Sequence, residues 1–269
     1  IANRGDKLIP MMPHARRTVF WIHNPAGYLL KWRYLSKLWR LKPAIIFIGT
    51  VHAGTYPAWA PDGGRYVIPY GISKDFMTAK VAAEPPAPRA VFSSNPLRSL
   101  DWLLDRWSQD IAPQVPGAEL HLFTGAATYG TIGDSKAGEM AHVLSRAGKL
   151  GDQGVRVRGP VTKTQLIEEF LSARCMLYRG DINETFCLAV GEAQAMGVPG
   201  VVQNLGSVVE RVIDGETGFV TTERRAFSNA AIRLLSDNDL WRRQHETAIA
   251  RQRSWRWANA AQAFEDLIG

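Results

Sequence analysis

Short apolar segments alternate with longer amphipathic segments along this 269-residue chain. The apolar segments are rich in β-branched residues, which is typical of buried strands, and the amphipathic ones repeat at the period of a helix. Strands that alternate with helices form parallel sheets with helices on both faces, so the alternation predicts an α/β protein. The predicted strands cover residues 18–22, 44–48, 66–68, 90–92, 119–123, 155–157, 175–178, 200–202 and 218–220. The predicted helices cover residues 97–107, 136–147, 163–172, 185–196, 208–212, 225–236, 238–251 and 255–268.

A stretch rich in proline and alanine divides the chain. Residues 81–90 read VAAEPPAPRA, and they follow the apolar run IPYGI at residues 68–72. Such composition is typical of a linker. We predict two Rossmann-like domains, over residues 1–75 and 76–254, followed by a C-terminal helix over residues 255–269 that crosses back to the first domain. The first part has too few strands to close a doubly wound sheet, so we expect the chain to begin inside that domain.

The composition is that of an ordinary globular protein, with 46% apolar and 21% charged residues. The sequence contains no run of 18 apolar residues that could span a membrane. Cys175 and Cys187 lie in apolar segments without metal-ligand spacing, so we expect buried thiols and a reducing, cytoplasmic location. The net charge of +7 indicates nucleic acid, a membrane face or a phosphorylated ligand as partner, or a basic surface without a specific role.

Two glutamates, Glu184 and Glu192, flank the start of the helix predicted after residues 175–178. In parallel sheets, ligands bind where strands end, and the free N–H groups that open the next helix favour an anion. The turn at 183–188 is therefore a candidate diphosphate site. On one helix the two carboxylates would stand roughly 12 Å apart along the axis and about 80° apart around it. One could hold a sugar and the other a ribose, although a helix-start residue and a surface charge would show the same spacing.

The segment ETFCLAVGEAQAMGVP, from Glu184 to Pro199, resembles a family pattern written E-G-F-G-L-x-x-x-E-A-x-A-x-G-x-P. This pattern belongs to retaining glycosyltransferases of the GT-B fold, family 4 type. The resemblance continues in VIPYGI at 67–72, VRGPV at 157–161, DGETGF at 214–219 and SWRW at 254–257. Together these motifs cover most of residues 66–268 in the order that the family has them.

The resemblance implies transfer of a sugar from a UDP- or GDP-sugar to a saccharide or lipid-linked acceptor, with retention of the anomeric configuration. It implies no metal and no cofactor beyond the nucleotide-sugar itself. Glu184 is expected at the sugar hydroxyls and Glu192 at the ribose. The other residues expected around the donor are Phe186, Cys187 and Leu188 at the diphosphate turn, and Gly159 and Val161 in the loop that receives the base.

The segment FSSNPLRSL at 92–100 departs from the family pattern. The family has two cations here that stabilise the leaving diphosphate; Arg98 stands at the lysine position and Ser93 at the arginine position. A guanidinium fork suits phosphate, so Arg98 is predicted to have that role, and Ser93 and Asn95 to contact the donor. The missing cation favours a second possibility, a non-catalytic nucleotide-sugar-binding module. A nucleotide-sugar epimerase is a third.

Two histidines follow predicted strands of the first part. The resemblance implies that His23, in WIHNPAG at 21–27, faces the donor sugar and contributes to catalysis. The alternative is a structural histidine that caps a turn with Asn24. His52, in TVHAGT at 50–55, is predicted only to be a loop residue near the cleft.

Residues 31–42, KWRYLSKLWRLK, are basic and aromatic at helical spacing. Such a helix could lie on the inner membrane face or contact an anionic acceptor. We favour an ordinary amphipathic helix with its Trp and Leu side chains inward and its Lys and Arg side chains outward.

Other functional classes lack their motifs. The sequence has no helix-turn-helix, RNP or zinc motif, so we expect no nucleic-acid partner. It has no Gly-x-Gly-x-x-Gly after a strand and no Walker loop, which argues against a dehydrogenase or a nucleotide hydrolase. The triplet DND at 237–239 is predicted to be a polar turn with a helix cap rather than a metal site.

Overall fold

A computed structural model describes residues 1–3, 17–125 and 135–269. The strands in these ranges are Ala2–Asn3 (β1), Val19–Trp21 (β2), Ala44–Phe47 (β3), Arg65–Val67 (β4), Arg89–Phe92 (β5), Glu119–Leu122 (β6), Val155–Val157 (β7), Cys175–Tyr178 (β8), Gly200–Gln203 (β9) and Gly218–Thr221 (β10). They form a four-stranded sheet in the order β1-β2-β3-β4 and a six-stranded sheet in the order β10-β9-β8-β5-β6-β7. Every pair is parallel, which confirms the predicted α/β class.

Helices connect the strands and cover both sheets. The α-helices of the described ranges are Trp32–Leu41 (α1), Thr50–Gly54 (α2), Lys74–Thr78 (α3), Leu100–Arg106 (α4), Ala137–Gly148 (α5), Lys163–Phe170 (α6), Leu188–Ala195 (α7), Arg224–Ser236 (α8), Asn238–Gln252 (α9) and Trp257–Ile268 (α10). Shorter 3-10 helices cover Ala26–Leu30, Ala112–Gln114, Gly151–Gln153 and Gly206–Glu210, and a π-helical turn at Trp107–Ile111 extends α4. Within the described ranges, no helix has both the length and the apolar character needed to cross a bilayer.

Several helix starts follow from local sequence. Thr162 and Gln165 form a reciprocal capping box at the start of α6. Asp237 accepts hydrogen bonds from the backbone N–H groups of Asp239 and Leu240 at the start of α9. The prediction that residues 237–239 form a capping turn is therefore confirmed.

The six-stranded sheet reverses its order between β5 and β8. The chain adds β6 and β7 on one side of β5, then returns to place β8, β9 and β10 on the other side. Connections that leave neighbouring strands in opposite directions open a crevice at the carboxyl ends of those strands, where ligands of doubly wound proteins bind. The loops that begin at Ser93 and at Arg179 flank this crevice.

The four-stranded sheet is buried on both faces. One face packs against α1 through Tyr34 and Leu38, and the other packs against α10 through Ala260 and Leu267. A sheet covered on both faces needs continuous rather than alternating apolar strands, which explains the sequence AIIF of β3. The last helix of the chain therefore completes the core of the first sheet.

Helix α1 corrects the predicted orientation of its tryptophans. Trp32 and Trp39 are 75% and 70% exposed, whereas Tyr34 and Leu38 are buried. Residues 32 and 39, seven positions apart, share one stripe of the helix, and residues 34 and 38, four apart, share another. Only one stripe can face the sheet. The Tyr34 stripe does so, and the prediction of inward-facing Trp side chains is wrong.

Candidate functional site

The carboxyl ends of both sheets face a common cleft of about 540 Å³. The residues that line it are His23, Asn24, Ile48 and Tyr70 from the four-stranded side, and Ser93, Ser94, Arg98, Lys163, Asn183, Glu184, Thr185, Phe186, Cys187, Leu188, Ala189 and Glu192 from the six-stranded side. A slightly larger cavity, of about 610 Å³, lies beside the amino ends of β6 and β7. We assign the site to the first cleft because it lies at the strand-order reversal, where Arg98, Lys163, Glu184 and Glu192 come together.

Glu184 is buried at one end of the cleft, with only 5% of its side chain exposed. The Arg98 guanidinium donates a hydrogen bond to Oε1 of this carboxylate. The Tyr178 hydroxyl donates to Oε2 at 2.6 Å. Burial raises the pKa of Glu184, and the Arg98 charge and the Tyr178 hydrogen bond oppose that rise. The carboxylate is thus held from two sides.

Arg98 faces both Glu184 and the cleft. Its side chain is 41% exposed, so its guanidinium reaches the solvent of the cleft while it pairs with the carboxylate. Burial disfavours its charge, but the Glu184 carboxylate together with Tyr178 and Cys187 outweighs that effect, so the pKa of Arg98 is raised. The group is therefore a permanent cation at the wall of the cleft.

The loop that carries Glu184 corrects the predicted helix start. Helix α7 begins at Leu188 rather than at residue 185, because Cys187 has a left-handed backbone with φ 59°. Glu184 precedes the helix, and its carbonyl accepts a hydrogen bond from the Ser207 N–H at 3.2 Å. The helical rise and rotation expected between Glu184 and Glu192 therefore do not apply.

A close approach of two loops holds this region. The Glu184 N–H donates to the Asp181 carbonyl at 3.0 Å. Gly206 lies against the same turn with φ +65°, and a Cβ there would collide with the Asp181 carbonyl oxygen. Only glycine fits this contact without strain. The Glu184 turn is thus packed against the start of the 3-10 helix Gly206–Glu210.

Glu192 lies on α7 at the other end of the cleft. Its side chain is 16% exposed, and Lys163 Nζ lies 3.6 Å from its Oε1. Burial raises the pKa of Glu192, and Lys163 opposes the rise. Lys163 was missed by the sequence reasoning. It is the first residue of α6, the helix that follows β7, and that location at a strand's carboxyl side was the available signal.

The predicted diphosphate turn lies between these charged groups. Phe186 is buried, with its ring centroid 4.9 Å from that of Tyr70 and 4.2 Å from the Arg211 guanidinium carbon. Leu188 is exposed at the first position of α7. The buried Ser93 hydroxyl has no hydrogen-bond partner among the described residues. The turn therefore offers helix-start N–H groups at one wall of the cleft, and Ser93 lies in the neighbouring loop after β5.

His23 connects the two sheets at the cleft. Its Nδ1 is hydrogen-bonded to the Tyr70 hydroxyl. The Thr185 hydroxyl donates to the His23 carbonyl at 2.7 Å, which joins the four-stranded side to the Glu184 loop. Tyr70, which the sequence reasoning did not single out, thus holds the imidazole beside the cleft.

His52 has a structural role behind the cleft. It lies in α2 rather than in a loop, which corrects the prediction. Its buried imidazole accepts from the Ile48 N–H at 3.2 Å and donates to the Asn24 carbonyl at 2.8 Å. Burial lowers the pKa of His52, so the ring stays neutral and fixes the two loops.

A second contact between the sheets lies at the start of α2. Glu210 accepts hydrogen bonds from the Thr50 hydroxyl and from the Val51 N–H, the latter at 2.6 Å. A carboxylate at a helix N-terminus is favoured by the free N–H groups and the dipole. This contact and the Thr185–His23 bond hold the two sides of the cleft together.

Three predicted donor contacts lie outside the set of residues that line the cleft. The Asn95 side chain accepts a hydrogen bond from the Leu97 N–H at 2.8 Å. Gly159 follows β7 with φ +72°, and Val161 packs against the core of the six-stranded sheet. Across residues 1–3, 17–125 and 135–269, no group of three or more His, Cys, Asp or Glu side chains is placed to hold a metal ion.

Known proteins resemble the segment that carries these residues. A family model described as glycosyl transferases group 1 matches residues 88–237, more than half of the chain. D-inositol 3-phosphate glycosyltransferase of Corynebacterium diphtheriae is 28% identical over 136 residues, which are 49% of this chain and 32% of that protein. The Streptomyces coelicolor protein of the same name is 34% identical over 115 residues, 42% of this chain and 25% of that protein. The matched regions thus span a third or less of these relatives.

Solved structures resemble the whole arrangement. Anabaena HepE in complex with UDP and glucose has a TM-score of 0.74 at 17% identity, over 94% of this chain and 71% of that one. Sucrose-phosphate synthase from Thermosynechococcus elongatus has a TM-score of 0.69 at 18% identity, over 93% and 66%. At this identity the likeness shows the fold, which is the GT-B arrangement of two Rossmann-like sheets. With the family match over residues 88–237, these findings establish that the chain belongs to the glycosyl transferases group 1 family.

Proposed function

We propose that this chain binds a nucleoside-diphosphate sugar and transfers the sugar to an acceptor hydroxyl with retention at the anomeric carbon. The observation that carries the proposal is the arrangement of Arg98, Lys163, Glu184 and Glu192 around one cleft at the strand-order reversal. Two carboxylates suit the hydroxyl groups at the two ends of such a donor, and two cations suit the diphosphate between them. The family membership and the Glu184–Pro199 pattern, typical of family 4, support the same reaction.

Each group has a proposed role. Glu184 accepts hydrogen bonds from sugar hydroxyls, and Glu192 accepts them from the ribose. Arg98, Lys163 and the N–H groups at Phe186, Cys187 and Leu188 stabilise the charge that develops on the departing diphosphate. His23 contacts the sugar or the reacting carbon, and Ser93 donates its hydroxyl to the donor. The base of the donor is proposed to lie near Asn95, Gly159 and Val161.

The proposed chemistry uses protein cations for the leaving diphosphate. Positioned guanidinium, ammonium and backbone N–H groups stabilise a developing anion without a bound ion. We propose that the acceptor proton passes to the leaving phosphate, so that retention needs no enzyme carboxylate as nucleophile. We therefore expect turnover to persist after treatment with a chelator. Loss of turnover that Mg²⁺ restores would contradict this part of the proposal.

The donor is proposed to be a UDP- or GDP-sugar, and the acceptor a saccharide or a lipid-linked saccharide. The neighbour HepE was solved with UDP and glucose, which supports UDP. The net charge of +7 suits phosphorylated ligands. Residues 1–75, 76–254 and 255–269 are proposed as the acceptor-side domain, the donor-binding domain and the crossing helix.

A peripheral contact with an anionic membrane face, on the cytoplasmic side, is a further part of the proposal. Trp32, Trp39 and Trp59 are each at least 70% exposed, and Trp32, Leu35, Trp39, Trp59 and Pro61 line a common hollow. Exposed tryptophans flanked by Lys and Arg are typical of interfacial helices. We expect binding to vesicles that contain phosphatidylglycerol and much weaker binding to pure phosphatidylcholine. Equal binding to the two kinds of vesicle, or binding to neither kind, would contradict the proposed membrane contact.

The reaction is tested by incubation of the chain with UDP- and GDP-sugars, with and without saccharide acceptors. We expect release of the nucleoside diphosphate and a product whose anomeric configuration, read by NMR, matches the donor. The Glu184→Gln variant is expected to lose transfer and to keep its fold. A non-catalytic binding module, which Ser93 at the position of a family cation favours, would bind donor without turnover. A changed sugar in the absence of acceptor would indicate epimerisation.

A further inference from the structure

Tyr178 lies beneath Glu184 and reaches it from the protein interior. It is the last residue of β8 and is fully buried. Its ring packs with Phe92 on the neighbouring strand β5, at a centroid distance of 6.0 Å. The Tyr178 hydroxyl donates to Glu184 Oε2 at 2.6 Å. A buried tyrosine hydroxyl needs a partner, and here the partner is the Glu184 carboxylate at one end of the cleft.

We propose that Tyr178 is a positioning residue that fixes the orientation of the Glu184 carboxylate and keeps it ionised for the donor sugar. This inference rests on the proposed function, because it assigns to Tyr178 a role that acts through Glu184. Tyr178 is outside the set of residues that line the cleft, so its proposed role is exerted through Glu184.

The Glu184 carboxylate is bonded to protein side chains and also faces the cleft. Arg98 donates to Oε1 and Tyr178 donates to Oε2, so each oxygen is held by a different side chain. The Cys187 thiol also forms a hydrogen bond to the carboxylate. An ionised carboxylate offers about four lone-pair sites, so these bonds leave room for a sugar hydroxyl. Two donors on different oxygens also stop rotation about the last side-chain bond. Neither Arg98 nor Tyr178 alone would fix both oxygens.

The electrostatics give Tyr178 a second effect. Burial raises the pKa of Glu184 and the nearby Asp181 charge adds to the rise, whereas the Arg98 charge and the hydrogen bonds from Tyr178 and Cys187 lower it. Burial also raises the pKa of Tyr178 far above its ordinary value, so the phenol remains a donor at every working pH. Removal of the Tyr178 hydroxyl takes away one of the interactions that lower the pKa of Glu184. The Glu184 carboxyl would then take up a proton at a higher pH.

The test compares Tyr178→Phe with Tyr56→Phe. Both variants remove a buried hydroxyl and keep the ring, because the Tyr56 hydroxyl donates to the Pro61 carbonyl at 2.6 Å, away from the cleft. The pKa of Glu184 is measured by NMR of protein labelled with ¹³C at the glutamate carboxyl, and the resonance is assigned with Glu184→Gln. We expect Tyr178→Phe to raise the midpoint by about one pH unit and Tyr56→Phe to leave it unchanged. Coincident midpoints in wild type and Tyr178→Phe would overturn the proposal.

A second measurement needs no substitution at position 178. In wild-type protein labelled at the ζ carbon of its seven tyrosines, one resonance should shift with the Glu184 midpoint, and that response should vanish in Glu184→Gln. The absence of any such resonance would also overturn the proposal.

Binding measurements with a nucleotide-sugar test the role of Tyr178 separately from the proposed function. For Tyr178→Phe, the affinity for a nucleotide-sugar should fall at a higher pH than in wild type, with the affinity for the free nucleotide unchanged. If wild type binds no nucleotide-sugar, the proposed function fails, while the NMR titrations still decide the role of Tyr178. An affinity that falls equally for both ligands would assign Tyr178 to general stability.

Discussion

The two carboxylates of the cleft are held in different ways. Glu184 lies in a tight turn before α7, with Arg98 donating to one oxygen, Tyr178 donating to the other and only 5% of the side chain exposed. Glu192 lies within α7 and faces a single cation, Lys163, at 3.6 Å. The Lys163 side chain is itself more than half exposed. A lysine on a flexible stem holds a partner less firmly than an arginine fork and a buried phenol do.

This difference indicates a division of labour along the donor. A fixed, desolvated group is worth most where charge develops in the reaction, because it needs no reorganisation at that moment. A group that only binds can tolerate movement. We therefore expect the Glu184 end to contribute to the reaction and the Glu192 end to contribute to donor binding.

The largest expected difference is in turnover. Glu184→Gln should lower kcat for transfer by roughly 100-fold, the order of effect seen when one stabilising group is removed from a reacting centre. Glu192→Gln should mainly raise KM for the donor by about 10-fold, because it removes binding that is equal in ground state and transition state. Steady-state kinetics on both variants measure this. A kcat loss of the same size in both would remove the distinction between the two ends.

Lys163 should matter for nucleotide binding more than for the sugar. Lys163→Met is expected to raise the Kd of the nucleoside diphosphate about 10-fold, the equivalent of one charge-assisted contact. The dependence of Kd on salt should weaken at the same time. Titration calorimetry at two salt concentrations measures both, with Lys149→Met, an exposed lysine at the end of α5, as the control. Equal effects of the two lysine variants would mean that only general positive charge is involved.

The pH dependence should separate the sugar from the nucleotide. The pKa of Glu184 is raised by burial above the ordinary value of 4.5. Protonation removes the charge that accepts sugar hydroxyls, so the added affinity for the sugar is present above the raised pKa and lost as the pH falls through it. Kd values for a nucleotide-sugar and for its free nucleotide should therefore converge at a pH above 4.5. Curves that stay parallel through this range would show that Glu184 does not contact the sugar.

The smallest expected effect concerns the stiffness of the Glu184 turn. Cys187 has φ 59°, a conformation that is strained for any residue but glycine. Cys187→Gly should change the free energy of unfolding by less than about 1 kcal/mol, because relief of strain offsets the lost burial. Cys175→Gly, in the buried strand β8, should cost about 2 kcal/mol or more, since no strain is relieved. Urea unfolding of both variants provides the measurement, and equal losses would argue against strain at residue 187.

Much of the fold could be predicted from the sequence. The nine predicted strands all appear. Buried parallel strands such as β3 and β9 are continuous apolar runs between polar loops, which makes them easy to predict. The short strand β1, two residues long, was missed because such a length carries no pattern. The orientation of α1 was also missed, since Trp32 and Tyr34 are both apolar and only packing decides between them.

The sequence predicted several residues of the site, but it did not predict the hydrogen bonds between them. Glu184, Glu192, Arg98 and His23 were found by motif or by position after a strand, and they line one cleft. The partnership of Arg98 with Glu184 joins residues 86 positions apart and depends on β5 lying beside β8. In the sequence alone, Tyr178 could not be distinguished from the apolar residues of its strand. Its hydroxyl gained significance only when the loop of Glu184 folded over it.

The most direct test is a calorimetric comparison of a nucleotide-sugar with its free nucleoside diphosphate, on wild type and on Glu184→Gln. Both UDP and GDP pairs are titrated. We expect wild type to bind one sugar conjugate roughly 10- to 100-fold more tightly than the matching nucleotide, because hydrogen bonds to a charged group contribute on this order. We expect Glu184→Gln to remove this difference and to leave nucleotide binding intact. Equal affinities of conjugate and nucleotide in wild type, or a preference that persists in Glu184→Gln, would contradict these expectations.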